Sequence, residues 1–158
     1  MIAISLVPII AAGVASVILG WIWFHPKLFG TAYMAGMTPE MQAQGKKRMP
    51  ISVICTLLAS MLVAWVMAFV GNALNEFVDV IGAIELGVWL WLGFIAPSML
   101  GSVLWEQKSF KLYLINSLYW LVNLIVIAIV LLFGGQYFSG SAAPYNSDST
   151  GGAVQVSE

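Results

Sequence analysis

Few side chains in this sequence are equipped for chemistry, and they are scattered. Glu85 is the one acid inside a long apolar run. Buried there, a carboxyl group acts as a proton relay or an ion ligand; near a membrane surface it is a solvated anion. It lies one helical turn into its run, ~6 Å from the end, with no basic residue on its side to pair with. His25 is the one imidazole. A single His cannot furnish a bis-histidine haem site, and no Cys or acid stands beside it at metal-ligand spacing, which leaves proton transfer or an interfacial anchor. Cys55 is the one thiol, so no internal disulfide or Cys-x-x-Cys motif is available, and it reads as a small apolar packing residue. Asn116 and Asn123 are seven apart, on one face of a helix, with Tyr119 and Trp120 between them. Primary amides are costly against lipid, so both are expected to point into a bundle or an oligomer contact, where they pair helices or line a polar path. Gly45-Lys46 is not a phosphate loop: Glu40 stands where that motif needs its first Gly, and no strand precedes it. With no nucleophile–base pair in view, no catalytic, metal or cofactor-binding residue is assigned and no cofactor is expected.

The elements that must position these groups are four apolar runs: Ile2–Phe24, Ile51–Gly71, Ile81–Leu104 and Leu112–Gly134. Each meets the ~20 residues a helix needs to cross a bilayer core. Hydrophobic residues make up 61% of the chain and charged ones 8%, against roughly 45–50% and 25% in soluble domains. A helix apolar on every side needs a large core or lipid around it, and 158 residues make no large core. The basic residues are few and are accounted for by orientation, so nucleic acid is not expected as a partner. Lys27, Lys46, Lys47 and Arg48 fall between the first and second runs, and Lys108 and Lys111 between the third and fourth. The positive-inside rule then predicts an all-α, up-down-up-down bundle of four transmembrane helices with both termini outside. The apolar run to Phe24 outlasts a signal-peptide core and lacks a basic n-region, so it reads as a retained span. Residues 1–138 form the membrane domain, and the polar segment 139–158 is expected to be disordered. The predicted location is the cell membrane, as a multi-pass protein of the bacterial inner membrane.

Local signals refine the picture. Pro26 disfavours helical geometry at His25 and ends the first span after Trp21-Ile22-Trp23-Phe24. Thr38-Pro39-Glu40 starts a short surface helix to about Gln44, stopped by Gly45. The short connections predict that spans two and three pair tightly, as do three and four. Small residues recur four apart (Ala12, Ser16 and Gly20; Ser52, Thr56 and Ser60; Gly93, Pro97 and Gly101), which suits close helix packing or self-association. Pro97 should kink span three, and either a plain kink or a hinge with a ligand-coordinating carbonyl follows from it.

The segment Gly20-Trp21-Ile22-Trp23-Phe24-His25-Pro26-Lys27-Leu28-Phe29-Gly30-Thr31-Ala32-Tyr33 resembles the opening signature of the DUF1761 membrane proteins, roughly G-x-x-W-aromatic-x-P-x-x-F-G-x-x-aromatic. Leu92-Gly93-Phe94-Ile95-Ala96-Pro97, Leu104-Trp105-Glu106-Gln107-Lys108 and Leu114-Ile115-Asn116-Ser117-Leu118-Tyr119 are similar to the later G-F-x-x-P, aromatic-E-x-K and I-N-x-x-Y segments. Tyr33 stands where that family often has Trp. The resemblance covers about Ile2–Phe133 and implies kinship and topology but no activity. It ranks the elbow (Gly20, Trp23, His25, Pro26, Phe29, Gly30) and the positions Gly93, Pro97 and Asn116 above Glu85, with Asn123 kept as a further candidate.

The expected role is non-enzymatic: a bilayer-embedded bundle that binds or passes a small molecule of unknown identity, or supports a partner, with homo-oligomerisation through the small-residue faces as an option. The alternatives are a membrane enzyme acting on a lipid-soluble substrate at the inner face through His25, Tyr33 or Arg48, and a purely structural subunit.

Overall fold

The computed structural model describes residues 6–74, 79–106 and 109–139. The expected tail from residue 140 on, the start of the first span at Ile2, and the connection residues Glu76 and Lys108 lie outside the described residues. The described chain is all-helical: α1 (Leu6–Trp23), α2 (Thr31–Ala35), α3 (Pro39–Leu74), α4 (Val80–Leu90), α5 (Ala96–Leu104) and α6 (Phe110–Ser139). Four helical stretches are long and apolar enough to cross a membrane: Leu6–Trp23, Lys47–Leu74, Val80–Leu104 and Phe110–Gly135. A helix is the solution such runs demand, because in lipid every backbone N–H and C=O must be satisfied within the segment.

The helices alternate in direction, so Lys27, Arg48 and Lys111 share one end of the bundle, the basic end; the opposite half is called distal. The broad contacts are α1 with α3, α1 with α6, and α4 with α6, with a smaller one between α3 and α6. The expected tight pair of spans two and three is therefore corrected, since α3 and α4 make no comparable contact. A short connection ties two helix ends together but does not choose their faces. The buried face of α4 (Ala83, Leu86, Gly87) is spent on α6, where a β-carbon on Gly87 would sit 3.2 Å from the Ile125 backbone nitrogen.

The core is asymmetric. Buried positions run from Pro8 to Ser16 on α1, Ser60 to Gly71 on α3, Ala83 to Gly87 on α4 and Ile115 to Leu132 on α6. Among the described residues none is buried from 31 to 59 or from 88 to 114. Burial on α3 and on the span Val80–Leu104 is thus confined to the distal half, and α3 and α5 share no broad contact, whereas α6 is buried into the basic half at Ile115, Ser117 and Tyr119.

Two other expectations change. Gly45 does not stop the inner helix: α3 runs unbroken for 36 residues through Gly45 and Pro50. An exposed Gly costs a helix only ~1 kcal/mol, and its Ala, Gln, Lys and Met neighbours are good helix formers. In span three the break begins before Pro97. Residues Trp91–Ile95 form one wide turn closed by the Ala96 N–H on the Trp91 carbonyl, and Pro97 then enters the first turn of α5. An extra residue in the turn relieves the clash and the missing donor that Pro97 imposes.

Candidate functional site

The elbow after α1 is built by Pro26 and Gly30. Pro26 holds His25 extended, at φ −65° and ψ 141°, and a wide turn follows, in which the Gly30 N–H returns to the His25 carbonyl at 3.1 Å. The chain folds back so closely that a β-carbon on Gly30 would fall on the Phe24 carbonyl oxygen and within 2.8 Å of the His25 backbone. Only Gly fits there. The return places Phe29 against Trp23, with ring centroids 4.7 Å apart, and Tyr33 against Phe24 at 4.9 Å.

The same rings reach α6. Phe24 and Trp23 lie 5.2 and 6.2 Å from Tyr119, and Tyr119 lies 5.9 Å from Trp120. Gly20 lets the Tyr119 hydroxyl approach, at 3.3 Å from where a β-carbon would stand, and that hydroxyl donates to the Ser16 carbonyl at 3.5 Å. Two indoles then pin α6 from opposite sides. Trp23 Nε1 donates to the Ile115 carbonyl at 3.3 Å, and Trp91 Nε1 to the Ser117 carbonyl at 2.7 Å. Tyr113 adds a bond to the Ala96 carbonyl at 3.3 Å. Asn116 sits between the two pins, half-buried, in the basic half. Two turns further along the same face, Asn123 is wholly buried, and neither its Oδ1 nor its Nδ2 has a hydrogen-bond partner among the described residues.

The other candidates stay apart from this cluster. His25 is exposed, with Nδ1 accepting from the Lys27 N–H at 3.3 Å. Glu85 is exposed on the distal half. Gly93 and Pro97 are also exposed, and a β-carbon on Gly93 would meet nothing within 4 Å. The expected close packing of span three's small-residue row is therefore corrected at Gly93 and Pro97, while Gly101 is half-buried. In span two only Ser60 of its row is buried, whereas Ala12 and Ser16 of span one are fully so. Of the turn after span three, Trp105 is 87% exposed, so the elbow meets the Asn116–Tyr119 segment rather than this one.

Sequence reasoning did not single out Trp91 or Ser117, and took Ser16 only as one of a row of small packing residues. The available signal was Trp91 itself: an indole placed deep in an apolar span needs an acceptor for its N–H, which the Ser117 backbone supplies. Among the described residues no three His, Cys, Asp or Glu side chains gather as metal ligands do.

The family model DUF1761, described as a protein of unknown function, matches residues 7–132. No curated protein and no solved structure matches the chain.

Proposed function

This chain belongs to the DUF1761 family, and from that premise we propose that it is a non-enzymatic integral membrane protein whose open basic half is a binding cleft for a small molecule. In this reading the basic end faces the cytoplasm of a bacterial cell, both termini lie outside, and passage of the ligand across the bilayer is completed in an assembly of several copies. The observation that carries it is that burial on α3 and on the span Val80–Leu104 is confined to the distal half, while α3 and α5 share no broad contact and Asn116 is only half-buried on α6. Four lipid-embedded helices with no task beyond anchoring would gain van der Waals contact by closing along their whole length.

The enzyme alternative is less well supported. Tyr33 is spent on packing against Phe24, and His25 Nδ1 is engaged by the Lys27 backbone. One observation favours a second reading, that of an accessory subunit: Gly93, in the wide turn before α5, and Pro97 are exposed, which leaves room for another helix to approach.

The test is aqueous access. In a Cys55→Ala background, Asn116→Cys is offered a small charged methanethiosulfonate in inside-out membrane vesicles. Thiolates form where water reaches, so the cleft reading expects Asn116→Cys to react and Phe94→Cys, on an exposed lipid-side position, to stay unmodified. An Asn116→Cys that resists the reagent from both sides of the membrane removes the cleft.

A further inference from the structure

We propose that Asn123 is a mid-bundle site that binds one uncharged hydroxyl oxygen, that of a water molecule or of a small alcohol-bearing ligand. The inference rests on the cleft reading for the route by which that oxygen arrives.

Asn123 lies on α6 between two of the points where this helix touches α1, Tyr119 at Ser16 and Gly134 at Pro8. It is 0% exposed, and both polar atoms of its amide lack a partner among the described residues. Other buried polar groups of α1 and α6 are already engaged. Ser16 Oγ donates to the Ala12 carbonyl at 2.9 Å, the Tyr119 hydroxyl to the Ser16 carbonyl, and Ser117 Oγ and carbonyl both receive the Trp91 indole. Asn116, two turns nearer the basic end on the same face, leads from the cleft towards it. An amide held in an apolar interior with donor and acceptor both unmet is costly, and more so where lipid rather than water surrounds the bundle.

The chemistry of the missing partner follows from the amide. Nδ2 must donate and Oδ1 must accept, on adjacent atoms. A hydroxyl oxygen does both at once, accepting from Nδ2 while its own hydrogen goes to Oδ1; a purely accepting group would leave Oδ1 unmet. The partner must also be uncharged. Among the described residues the buried polar side chains are Ser16, Ser60, Ser117 and Asn123, with no buried acid or base to pair with an ion.

The experiment uses the full chain in nanodiscs of deuterated lipid, with 15N in the asparagine side chains. The sequence has five asparagines, so loss of one amide signal in Asn123→Leu, with the other four unmoved, assigns the residue. The proposal expects a cross-peak from the Asn123 amide protons to a hydroxyl proton. A cross-peak at the water frequency that survives exhaustive exchange of the original lipid identifies water. One at a separate hydroxyl frequency that is lost on that exchange identifies a co-purified alcohol. Amide protons that couple only to a protein carbonyl, or show no exchangeable neighbour, overturn the site. The two readings fail separately: an unreactive Asn116→Cys beside a hydroxyl-bound Asn123 sinks the cleft alone, and a reactive Asn116→Cys beside an amide bonded only to protein sinks this site alone.

Discussion

In the distal half, α3 presents Ser60, Ala64, Met67 and Ala68 to its neighbours and buries all four. A few turns earlier the same helix leaves Ile51, Ile54, Cys55 and Leu58 exposed. The apolar content of the two stretches is similar, so hydrophobicity does not separate them. Residue size does. The distal contacts are made at Ala12, Gly13, Ala64, Gly71, Ala83, Gly87 and Ala128, all buried, where backbones approach closely. Lipid tails solvate Ile and Leu as well as another helix does, so bulky residues give little reason to associate. The contrast has its own counterexample in Gly93, small but without a neighbour; small residues permit close approach and do not compel it.

The largest effect is expected at the elbow, at the basic end of the bundle. Gly30→Ala drives a methyl into the Phe24 and His25 backbone and should cost about 3 kcal/mol, read as loss of folded protein in a detergent melt followed by tryptophan fluorescence. Next come matched truncations of one residue type. Ile127→Ala, at a position 0% exposed, should cost about 2–4 kcal/mol, while Ile54→Ala, 59% exposed, should stay within about 0.5 kcal/mol of the parent; equal melting shifts would erase the distinction between halves. Paired glycines give a smaller effect. Gly87→Leu should destabilise by about 2 kcal/mol as α4 is pushed off α6, and Gly93→Leu should leave the monomer's melting point unchanged. The smallest is Trp91→Phe, which removes the indole donor from Ser117 and should cost about 0.6 kcal/mol, measured against Trp89→Phe at an exposed position.

Much of the architecture was legible beforehand, for identifiable reasons. Apolar runs of this length admit one structure in lipid, and Pro26 marks the end of α1 because it forbids helical geometry at His25. The seven-residue spacing of Asn116 and Asn123 put both on one inward face, and the structure buries the second fully and the first in part. Helix pairing was not legible. Connection length pointed to α3 against α4, but faces decide contacts, and the face of α4 is complementary to Ile125 on α6. Gly45 misled because a solvated Gly weakens a helix without ending it. The wide turn at Trp91–Ile95 follows from Pro97 and from the pull of Trp91 onto Ser117, a contact 26 residues away in sequence that no local pattern announces. Of the site, the elbow's residue types were visible, but their junction with Tyr119 was not, since it depends on the antiparallel register of α1 and α6.

Hydrogen–deuterium exchange of the full chain in nanodiscs, read by peptide, reports directly on whether one half is closed and the other open. A water-accessible cleft predicts faster exchange in segments 47–59 and 91–104 than in segments 60–71 and 124–132 of the same preparation. Equal, strong protection of all four segments would contradict it.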